Sequence, residues 1–362
     1  MELVGDGRRK ILVVGEAPGQ VEDEDGKPFA SRAGKLLGSV LWDAAEIKLF
    51  RDCWVTNSLR CRPPDGRDPT PDEIRCCRPY LTKAIKRLKP EIIVPLGRFG
   101  ITAVLSMVWK ESVGSGARWI GWQIPCQEWN AWICPTWHPA YIMRKLNEQQ
   151  APTGLLFEQH LKAIGALRGR PWEVVPDYEQ QVRIEMDVDA AAAWLNGIDD
   201  NDVIAFDYET NMLKPDSEQA RIHSCAVCVN GERTIAYPWH GAAVEATGGL
   251  LKSRTRKIGA NIKFEERWTK MQFGHGVRNW VWDCNLAAHI VDNRPGITSV
   301  KFQAFVLLGQ ALWNEKVDRF LKGPSNKPNR IADIDMLTLL RYNGLDAVLE
   351  YHLAKKQKEW FQ

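Results

Sequence analysis

The chain places two carboxylates at the end of an apolar run, in the segment Val203-Ile204-Ala205-Phe206-Asp207-Tyr208-Glu209-Thr210. β-branched and aromatic residues are frequent in this run, which predicts a buried strand. Side chains two residues apart leave a strand on the same face, so Asp207 and Glu209 are expected side by side. Carboxylate oxygens are ligands that Mg²⁺ or Mn²⁺ prefers, and two such ions about 4 Å apart promote phosphodiester cleavage. The alternative is an edge strand that runs into a solvated acidic turn.

A second acidic motif lies in a helical pattern that covers residues 331–355. Within it, Tyr342 and Asp346 are four residues apart and therefore share one helix face. Between the two motifs come Asn-Ile-Lys-Phe-Glu at 261–265 and Trp-Asp-Cys-Asn-Leu at 282–286. In this order the blocks resemble the 3′–5′ exonuclease domain of family A DNA polymerases, the DEDD type with a tyrosine. The phage branch is the most similar, and the resemblance runs from about Val174 to the C-terminus.

This resemblance implies a ribonuclease H-like domain, a mixed sheet with helices, that removes nucleotides from DNA 3′ ends with two Mg²⁺ or Mn²⁺ ions. The metal-binding carboxylates of the family match Asp207, Glu209, Glu265 and Asp346. Tyr342 matches the tyrosine that orients the attacking water. Asp283 matches a structural aspartate of the family rather than a ligand, and the alternative is that it substitutes as a ligand. Glu265 departs from the family, where many members carry Asp. Its extra methylene keeps the charge but shifts the oxygen, which affects the occupancy of the second metal site.

Length and composition indicate an ordinary globular protein. The chain has 362 residues, 44% of them hydrophobic and 26% charged, which suits two domains. No window approaches about 18 uninterrupted apolar residues, and the N-terminus lacks a signal-peptide layout, so we expect a cytoplasmic protein and no membrane partner. The net charge of +3 does not by itself indicate nucleic-acid binding. Basic clusters at 83–89 and 254–257 are either parts of a DNA-binding stripe or solvated faces.

The N-terminal half alternates short apolar runs with helical patterns. Strands are predicted at 11–14, 53–57 and 91–97, and a helix at 72–89. Such alternation is typical of a parallel sheet covered by helices on both faces. Three motifs follow strands: Gly-Glu-Ala-Pro-Gly at 15–19, Cys-Arg-Pro-Pro at 61–64 and Thr-Trp-His-Pro at 136–139. In this order they resemble a family 4 uracil-DNA glycosylase, and the match covers about residues 11–165.

This second resemblance implies a three-layer α/β/α fold and a pocket for a uracil flipped out of the DNA. Glu16 and Glu22 would line the catalytic loop and position or activate water. Phe29 would stack on the uracil, Asn57 would read its Watson–Crick edge, and His138 would stabilise charge on the departing base. An aromatic face with an amide suits such a pocket. The alternative for His138 is an ordinary capped or buried histidine.

The family also holds a 4Fe–4S cluster on four thiolates. Cys61 and Cys77 match two of these positions, but no cysteine precedes Cys53. A complete cluster would need further thiolate ligands from residues such as Cys53, Cys76, Cys126 or Cys134. Cys76 and Cys77 are adjacent in sequence and can hardly both ligate one compact cluster. The alternative is buried thiols or a degenerate loop. Two further departures are Ser31 in place of a glycine and Ala140 in place of the serine usually found after His-Pro.

Two prolines and the lack of a clean period at 166–182 place a domain boundary near Pro171. We therefore expect a glycosylase-like domain at 1–170 and an exonuclease domain at 171–362. In the second, Asn230-Gly231 predicts a hairpin turn between strands at 221–229 and 233–237. Family A enzymes continue with a polymerase domain, so a separate polymerase is an expected partner, unless the chain is a piece of a longer protein. The first domain is either an active glycosylase or a module that docks DNA or the polymerase, and inert scaffolding is the third alternative.

Overall fold

The computed structural model describes residues 1–148, 151–323 and 327–362. Internal contacts divide them into two compact units, Met1–Val175 with Gly309–Ala311, and Pro176–Leu308 with Leu312–Gln362. Trp172 belongs to the first unit, where the Asn130 side chain bonds both its backbone N–H and its carbonyl. The boundary between residues 170 and 171 stays a prediction. No helix in the described part of the chain combines the length and apolar character that a bilayer crossing requires.

The first unit is built on a sheet whose strands are short and apolar. These are β1 (Ile11–Gly15), β2 (Cys53–Asn57), β3 (Ile92–Pro95), β4 (Ile124–Cys126) and β5 (Ala131–Ile133). Their order is β2-β1-β3-β5-β4. β1, β2, β3 and β5 pair in parallel, which confirms the expected parallel sheet. The expectation is wrong at β4, which runs antiparallel to β5 because the chain turns back at Asn130 with a φ of 44°.

Helices cover both faces of this sheet. They are α1 (Gln20–Asp25), α2 (Arg32–Ala45), α3 (Leu49–Asp52), α4 (Pro71–Leu88), α5 (Gly97–Leu105), α6 (Pro139–Asn147) and α7 (Ala151–Ala166). Helices α2, α6 and α7 pack together over Ile11 and Val13 of β1. Leu12 and Val14 alternate to the opposite face and are fully buried. There α5 contacts β1, and α4 packs against α5. The first unit is therefore the expected three-layer α/β/α domain.

The second unit contains a mixed sheet in the order β11-β10-β7-β8-β9-β6. Its strands are β6 (Val182–Ile184), β7 (Val203–Thr210), β8 (Ile222–Val229), β9 (Arg233–Pro238), β10 (Arg256–Gly259) and β11 (Trp280–Asp283). β8 is antiparallel to both β7 and β9, whereas β10 pairs in parallel with β7 and with β11. The predicted hairpin is confirmed, since Asn230 and Gly231 adopt the positive φ values of 55° and 75° that such a turn needs.

Helices lie on both faces of the second sheet and bury two separate cores. They are α8 (Val188–Asn196), α9 (Ala242–Lys252), α10 (Lys263–Phe273), α11 (Cys284–Val291), α12 (Val300–Leu308), α13 (Asp318–Leu321) and α14 (Met336–Gln357). Phe206 and Tyr208 of β7 pack in the core with α8 and α9. Ala205, which precedes Phe206 and faces the opposite side of β7, packs in the core with α14. This is the expected ribonuclease H-like arrangement of a mixed sheet with helices.

Helix α14 begins five residues later than the sequence pattern predicts. Residues 331–333 form a short 3₁₀ turn instead. The helix starts at Met336 because the Asp335 carboxylate accepts a hydrogen bond from the Thr338 N–H and caps the first turn. The predicted start at residue 331 is therefore wrong, but the shift leaves Tyr342 and Asp346 well inside the helix.

Candidate functional site

Three carboxylates converge between β7 and α14 in the second unit. Oxygen atoms of Asp207, Glu209 and Asp346 all lie within 4.8 Å of one another. Alternation along β7 turns the first two towards the α14 face of the sheet, and α14 packs against β7 and brings the third. Among the described residues, no other group of His, Cys, Asp and Glu ligands reaches this spacing. The structure thus brings together three of the four predicted metal-binding carboxylates.

Neutral donors surround these carboxylates. The Tyr342 hydroxyl hydrogen bonds to Asp346, and burial followed by the charge of Asp346 raises the pKa of Tyr342 well above its ordinary value. The phenol is therefore protonated at neutral pH and is a donor. The Trp313 indole Nε1–H donates to Asp346 Oδ1 over 3.0 Å, and the Asn343 amide donates to Asp207 Oδ2 over 2.7 Å.

Burial and mutual repulsion disfavour the ionised forms of the three carboxylates. Burial first and Glu209 second raise the pKa of Asp207 well above its ordinary value. Burial and then Asp346 do the same for the pKa of Glu209, partly offset by the positive charge of Lys301. Burial raises the pKa of Asp346 to about 6. A divalent cation would relieve this repulsion, and carboxylate oxygens are its preferred ligands, so the donor set fits one.

Glu265, the fourth predicted ligand, lies in the first turn of α10 and outside this group. It is close enough to contribute to the raised pKa values of Asp207 and Glu209. Its Oε2 is buried and has no hydrogen-bond partner in the structure, and burial raises its pKa to about 8. An unsatisfied buried oxygen facing other carboxylates also fits a bound cation. The role of Glu265 as a metal ligand stays a prediction.

Asp283 fixes the segment that precedes Glu265. Its two carboxylate oxygens accept the backbone N–H groups of Asn261 and Ile262, at 3.0 and 3.2 Å. The same side chain caps α11 through the N–H groups of Asn285 and Leu286. Both oxygens are therefore engaged in holding the start of α10, which agrees with the structural role that the resemblance implies.

Sequence reasoning missed three polar residues at this site: Trp313, Asn343 and Glu350. Glu350 is buried one helical turn after Asp346, and its Oε2 has no hydrogen-bond partner in the structure. The four-residue spacing from Asp346 was a signal that could have found it. Asn343 lies next to Tyr342 in sequence but carries no motif, and Trp313 lies 33 residues before Asp346 with no local pattern that connects them.

A cavity of about 300 Å³ opens at the ends of β1 and β2 in the first unit. All five residues predicted for a uracil site line it: Glu16, Glu22, Phe29, Asn57 and His138. The departures Ser31 and Ala140 also line this cavity. Carboxyl ends of parallel strands are where α/β sheets bind ligands. A neighbouring cavity of about 730 Å³ shares Glu16 and His138 with it.

Two close approaches hold the aromatic ring and the amide of this cavity. A Cβ on Gly15 would lie 2.3 Å from Asn57 Oδ1 and 2.7 Å from Phe29 Cζ, so only glycine leaves room for both side chains. Phe29 itself has a φ of 59°, a left-handed conformation that costs energy for a residue with a side chain. The surrounding structure therefore keeps Phe29 in this position against its backbone preference.

His138 is both a helix cap and a wall of the cavity. Its Nδ1 accepts a hydrogen bond from the Ala140 N–H at the start of α6, over 3.3 Å. Burial lowers the pKa of His138 to about 4, so the ring is neutral near pH 7 and carries its proton on Nε2. A neutral ring can donate one hydrogen bond to an oxygen in the cavity.

The two glutamates of the catalytic loop have different environments. Glu22 is buried, and its Oε1 accepts a hydrogen bond from the Ser31 N–H over 3.1 Å, which braces the loop before α2. Glu16 lines both cavities. Burial and then the charge of Asp68 raise the pKa of Glu16. A carboxyl with a raised pKa beside a pocket suits proton transfer.

The cysteines of the first unit differ in exposure. In the described residues all nine cysteines of the chain are free thiols, and none belongs to a group whose ligand atoms lie within 4.8 Å of one another. Cys61 and Cys76 are exposed, and Cys77 is half-buried. Burial raises the pKa of Cys53 and of Cys126 to about 12, which keeps both thiols protonated. A cluster needs four thiolates around one compact space, and the absence of a cluster from the protein stays a prediction.

Comparisons with known proteins divide the chain in the same way. Residues 3–161 match the family model described as the uracil DNA glycosylase superfamily, and residues 182–359 match the model described as 3′–5′ exonuclease. A type-4 uracil-DNA glycosylase from Archaeoglobus fulgidus is 35% identical over 178 residues, 48% of this chain and 85% of that protein. A DNA polymerase from Bacillus phage SP01 is 31% identical over 107 residues, 30% of this chain but 12% of that protein. The structure of Escherichia coli RNase D has a TM-score of 0.39 and 14% identity, over 49% of this chain and 44% of that chain.

The stability of the metal-free protein should depend on pH through Glu265. Its folded-state pKa of about 8 lies above the ordinary value of 4.5, so the folded protein binds this proton more tightly than the unfolded chain. The stabilisation is complete below the unfolded pKa and is lost as the pH rises through about 8. With EDTA, the melting temperature should fall between about pH 5 and pH 8 and level off above that range, and saturating Mg²⁺ should restore it. Glu265→Gln should weaken the pH dependence, and an unchanged dependence in this variant would contradict the assignment.

Purified protein should lack an iron–sulfur cluster, because only Cys61 and Cys77 match the four ligand positions of the family. Anaerobic purification followed by iron and sulfide assays should give substoichiometric amounts of both, with no visible absorption band. Cys61→Ser should leave the spectrum and the melting temperature unchanged. Stoichiometric iron that is lost in Cys61→Ser would show that the cysteines rearrange into a cluster.

Proposed function

The chain belongs to the uracil DNA glycosylase superfamily and carries a 3′–5′ exonuclease domain, and on this basis we propose that it is a metal-dependent 3′–5′ DNA exonuclease with a uracil-recognising domain. One observation carries the nuclease assignment. Oxygens of Asp207, Glu209 and Asp346 lie within 4.8 Å of one another beside the Tyr342 hydroxyl. Their side chains come from two elements that are far apart in sequence, so local sequence does not explain the convergence.

Asp207, Glu209 and Asp346 would hold the divalent cations of the reaction, with Glu265 next to them. Such ions, when bound, lower the pKa of an attacking water and stabilise charge on the leaving oxygen. Tyr342 contributes a protonated hydroxyl that is anchored on Asp346 and can orient a water molecule at the 3′-terminal phosphodiester. The products are nucleoside monophosphates and a DNA strand shortened from its 3′ end.

The proposed substrate is a single-stranded or frayed DNA 3′ end, with a role in replication or repair. A family A polymerase acting in trans is the proposed protein partner, and a phage origin is part of the same proposal. Both rest on the similarity to the phage polymerase, of which the chain spans 12%.

The second candidate activity is excision of uracil by the first unit. The supporting observation is the cavity in which Phe29 offers a ring face, Asn57 an amide and His138 a neutral N–H donor. These groups suit a flat, uncharged base with carbonyl and imide edges. The alternative is that the same cavity recognises uracil in DNA without cleaving it and docks the chain on DNA or on a polymerase.

Replacement of Asp207 tests the nuclease. Asp207→Ala removes the carboxylate at the centre of the cluster, so Mg²⁺-dependent release of nucleotides from a 3′-labelled single strand should fall by ~10³-fold or more. Asp189→Ala, an exposed carboxylate in the first turn of α8, is the matched control and should retain full activity. Metal-dependent digestion by pure Asp207→Ala at the wild-type rate would rule out this site.

Replacement of Asn57 tests the glycosylase, and the assay needs a nuclease-deficient background. In Asp207→Ala protein, single-stranded uracil DNA should gain alkali-labile abasic sites. Adding Asn57→Asp replaces an amide donor with a repelling carboxylate and should lower this rate by ~10²-fold or more. Wild-type-like excision in the double variant would contradict the role of Asn57. Tight binding of uracil DNA without abasic product in Asp207→Ala would favour the docking module.

A further inference from the structure

The side-chain amide of Asn343 hydrogen bonds to the Asp207 carboxylate, and the family resemblance assigns no role to this residue. Asn343 is fully buried in α14. Its Nδ2 donates to Asp207 Oδ2 over 2.7 Å and to the Asp207 backbone carbonyl over 3.2 Å. One side chain therefore fixes both the carboxylate and the strand that carries it, and leaves Oδ1 of Asp207 available to other partners.

Ser224 completes the hydrogen bonding of this amide. Ser224 lies on β8 opposite Glu209 in the strand register and is fully buried. Its hydroxyl donates to Asn343 Oδ1 over 2.8 Å. If the amide were flipped, its oxygen would face the Asp207 carboxylate, and its N–H₂ group would face the Ser224 hydroxyl. The Asp207 oxygens only accept hydrogen bonds, so they select the orientation in which the amide donates to them, and the serine hydroxyl satisfies the buried amide oxygen.

Trp313 hydrogen bonds to the Asp346 carboxylate as Asn343 does to the Asp207 carboxylate. Its indole N–H donates to Oδ1 over 3.0 Å. An indole has no acceptor atom and no charge, so it can orient a carboxylate without competing with a cation for it. A lysine or arginine in either place would neutralise the carboxylate and weaken its attraction for a metal ion.

We propose that Asn343, supported by Ser224, and Trp313 are positioning residues that orient the carboxylates of Asp207 and Asp346 towards one shared cation space. The inference rests on the proposed nuclease function, since it concerns the same carboxylates. Groups that hydrogen bond to metal ligands commonly change metal affinity by about 10–100-fold when they are removed. The expected effect is on metal affinity first and on catalysis as a consequence.

The test measures Mn²⁺ binding directly, by the electron paramagnetic resonance signal of free Mn²⁺, on the full chain without DNA. Ser224→Ala and Trp313→Phe should each weaken Mn²⁺ binding by ~10-fold, and Asn343→Leu by up to ~100-fold. Ser224→Thr keeps the hydroxyl and should restore affinity. Trp280→Phe is the matched control, because its indole N–H donates over 3.2 Å to Glu266, a carboxylate outside the cluster, and its Mn²⁺ affinity should equal that of the wild type.

The same variants in the nuclease assay should need proportionally more Mg²⁺ for half-maximal rate and should approach the wild-type rate at saturating Mg²⁺. If Asn343→Leu does not fold, the Mn²⁺ affinities of Ser224→Ala and Trp313→Phe are sufficient to test the proposal. The proposal is overturned if both bind Mn²⁺ within twofold of the wild type, or if Trp280→Phe loses as much affinity as Trp313→Phe. Failure of the proposed nuclease itself would look different, because wild-type protein would then bind Mn²⁺ without releasing nucleotides.

Discussion

The second unit depends on one constraint, which is the repulsion between carboxylates that are buried close to one another. Three carboxylates within 4.8 Å of one another cannot all ionise without a compensating charge, because repulsion grows as the local dielectric falls. The fold nevertheless holds them together, with β7 in the interior of a six-stranded sheet and α14 packed across it. Burial of the apolar residues around Ala205 and Leu345 supplies the stability that opposes this repulsion. A cation that relieves the repulsion therefore also stabilises the fold.

The two units solve different recognition problems with a related layout. In each, functional side chains lie in the C-terminal half of a strand or just beyond it. Glu16 and Asn57 lie at the ends of the neighbouring strands β1 and β2, and Asp207 and Glu209 both lie in the C-terminal half of β7. The cavity of the first unit offers a ring face, an amide and a neutral imidazole, which suits an uncharged base. The second unit concentrates negative charge, which suits metal ions. The difference in charge, rather than in fold class, separates the two proposed chemistries.

Local patterns in the sequence predicted the residues whose partners are near in sequence or carry a motif. The two-residue spacing of Asp207 and Glu209 and the four-residue spacing of Tyr342 and Asp346 led directly to the cluster. Ser224 and Asn343 are 119 residues apart, and no local period connects them, so their contact needed the tertiary structure. The start of α14 was missed because a single cap, Asp335, outweighs an apolar pattern that continues before it. Glu265 differs from the Asp of many family members by one methylene group. A shift of its carboxylate oxygen by that length cannot be derived from sequence patterns.

The neutral character of the supporting groups has a consequence for substrate binding. Tyr342, Asn343 and Trp313 orient the carboxylates without cancelling their charge, so the site keeps its negative potential. A DNA 3′ end is also negative, and phosphate oxygens would be repelled by such a site on their own. Bound cations would reverse the sign of the local charge and allow the phosphodiester to approach. Under the proposed function, the neutral donors therefore leave the bound metal ions to compensate the charge of the carboxylates and of the DNA 3′ end.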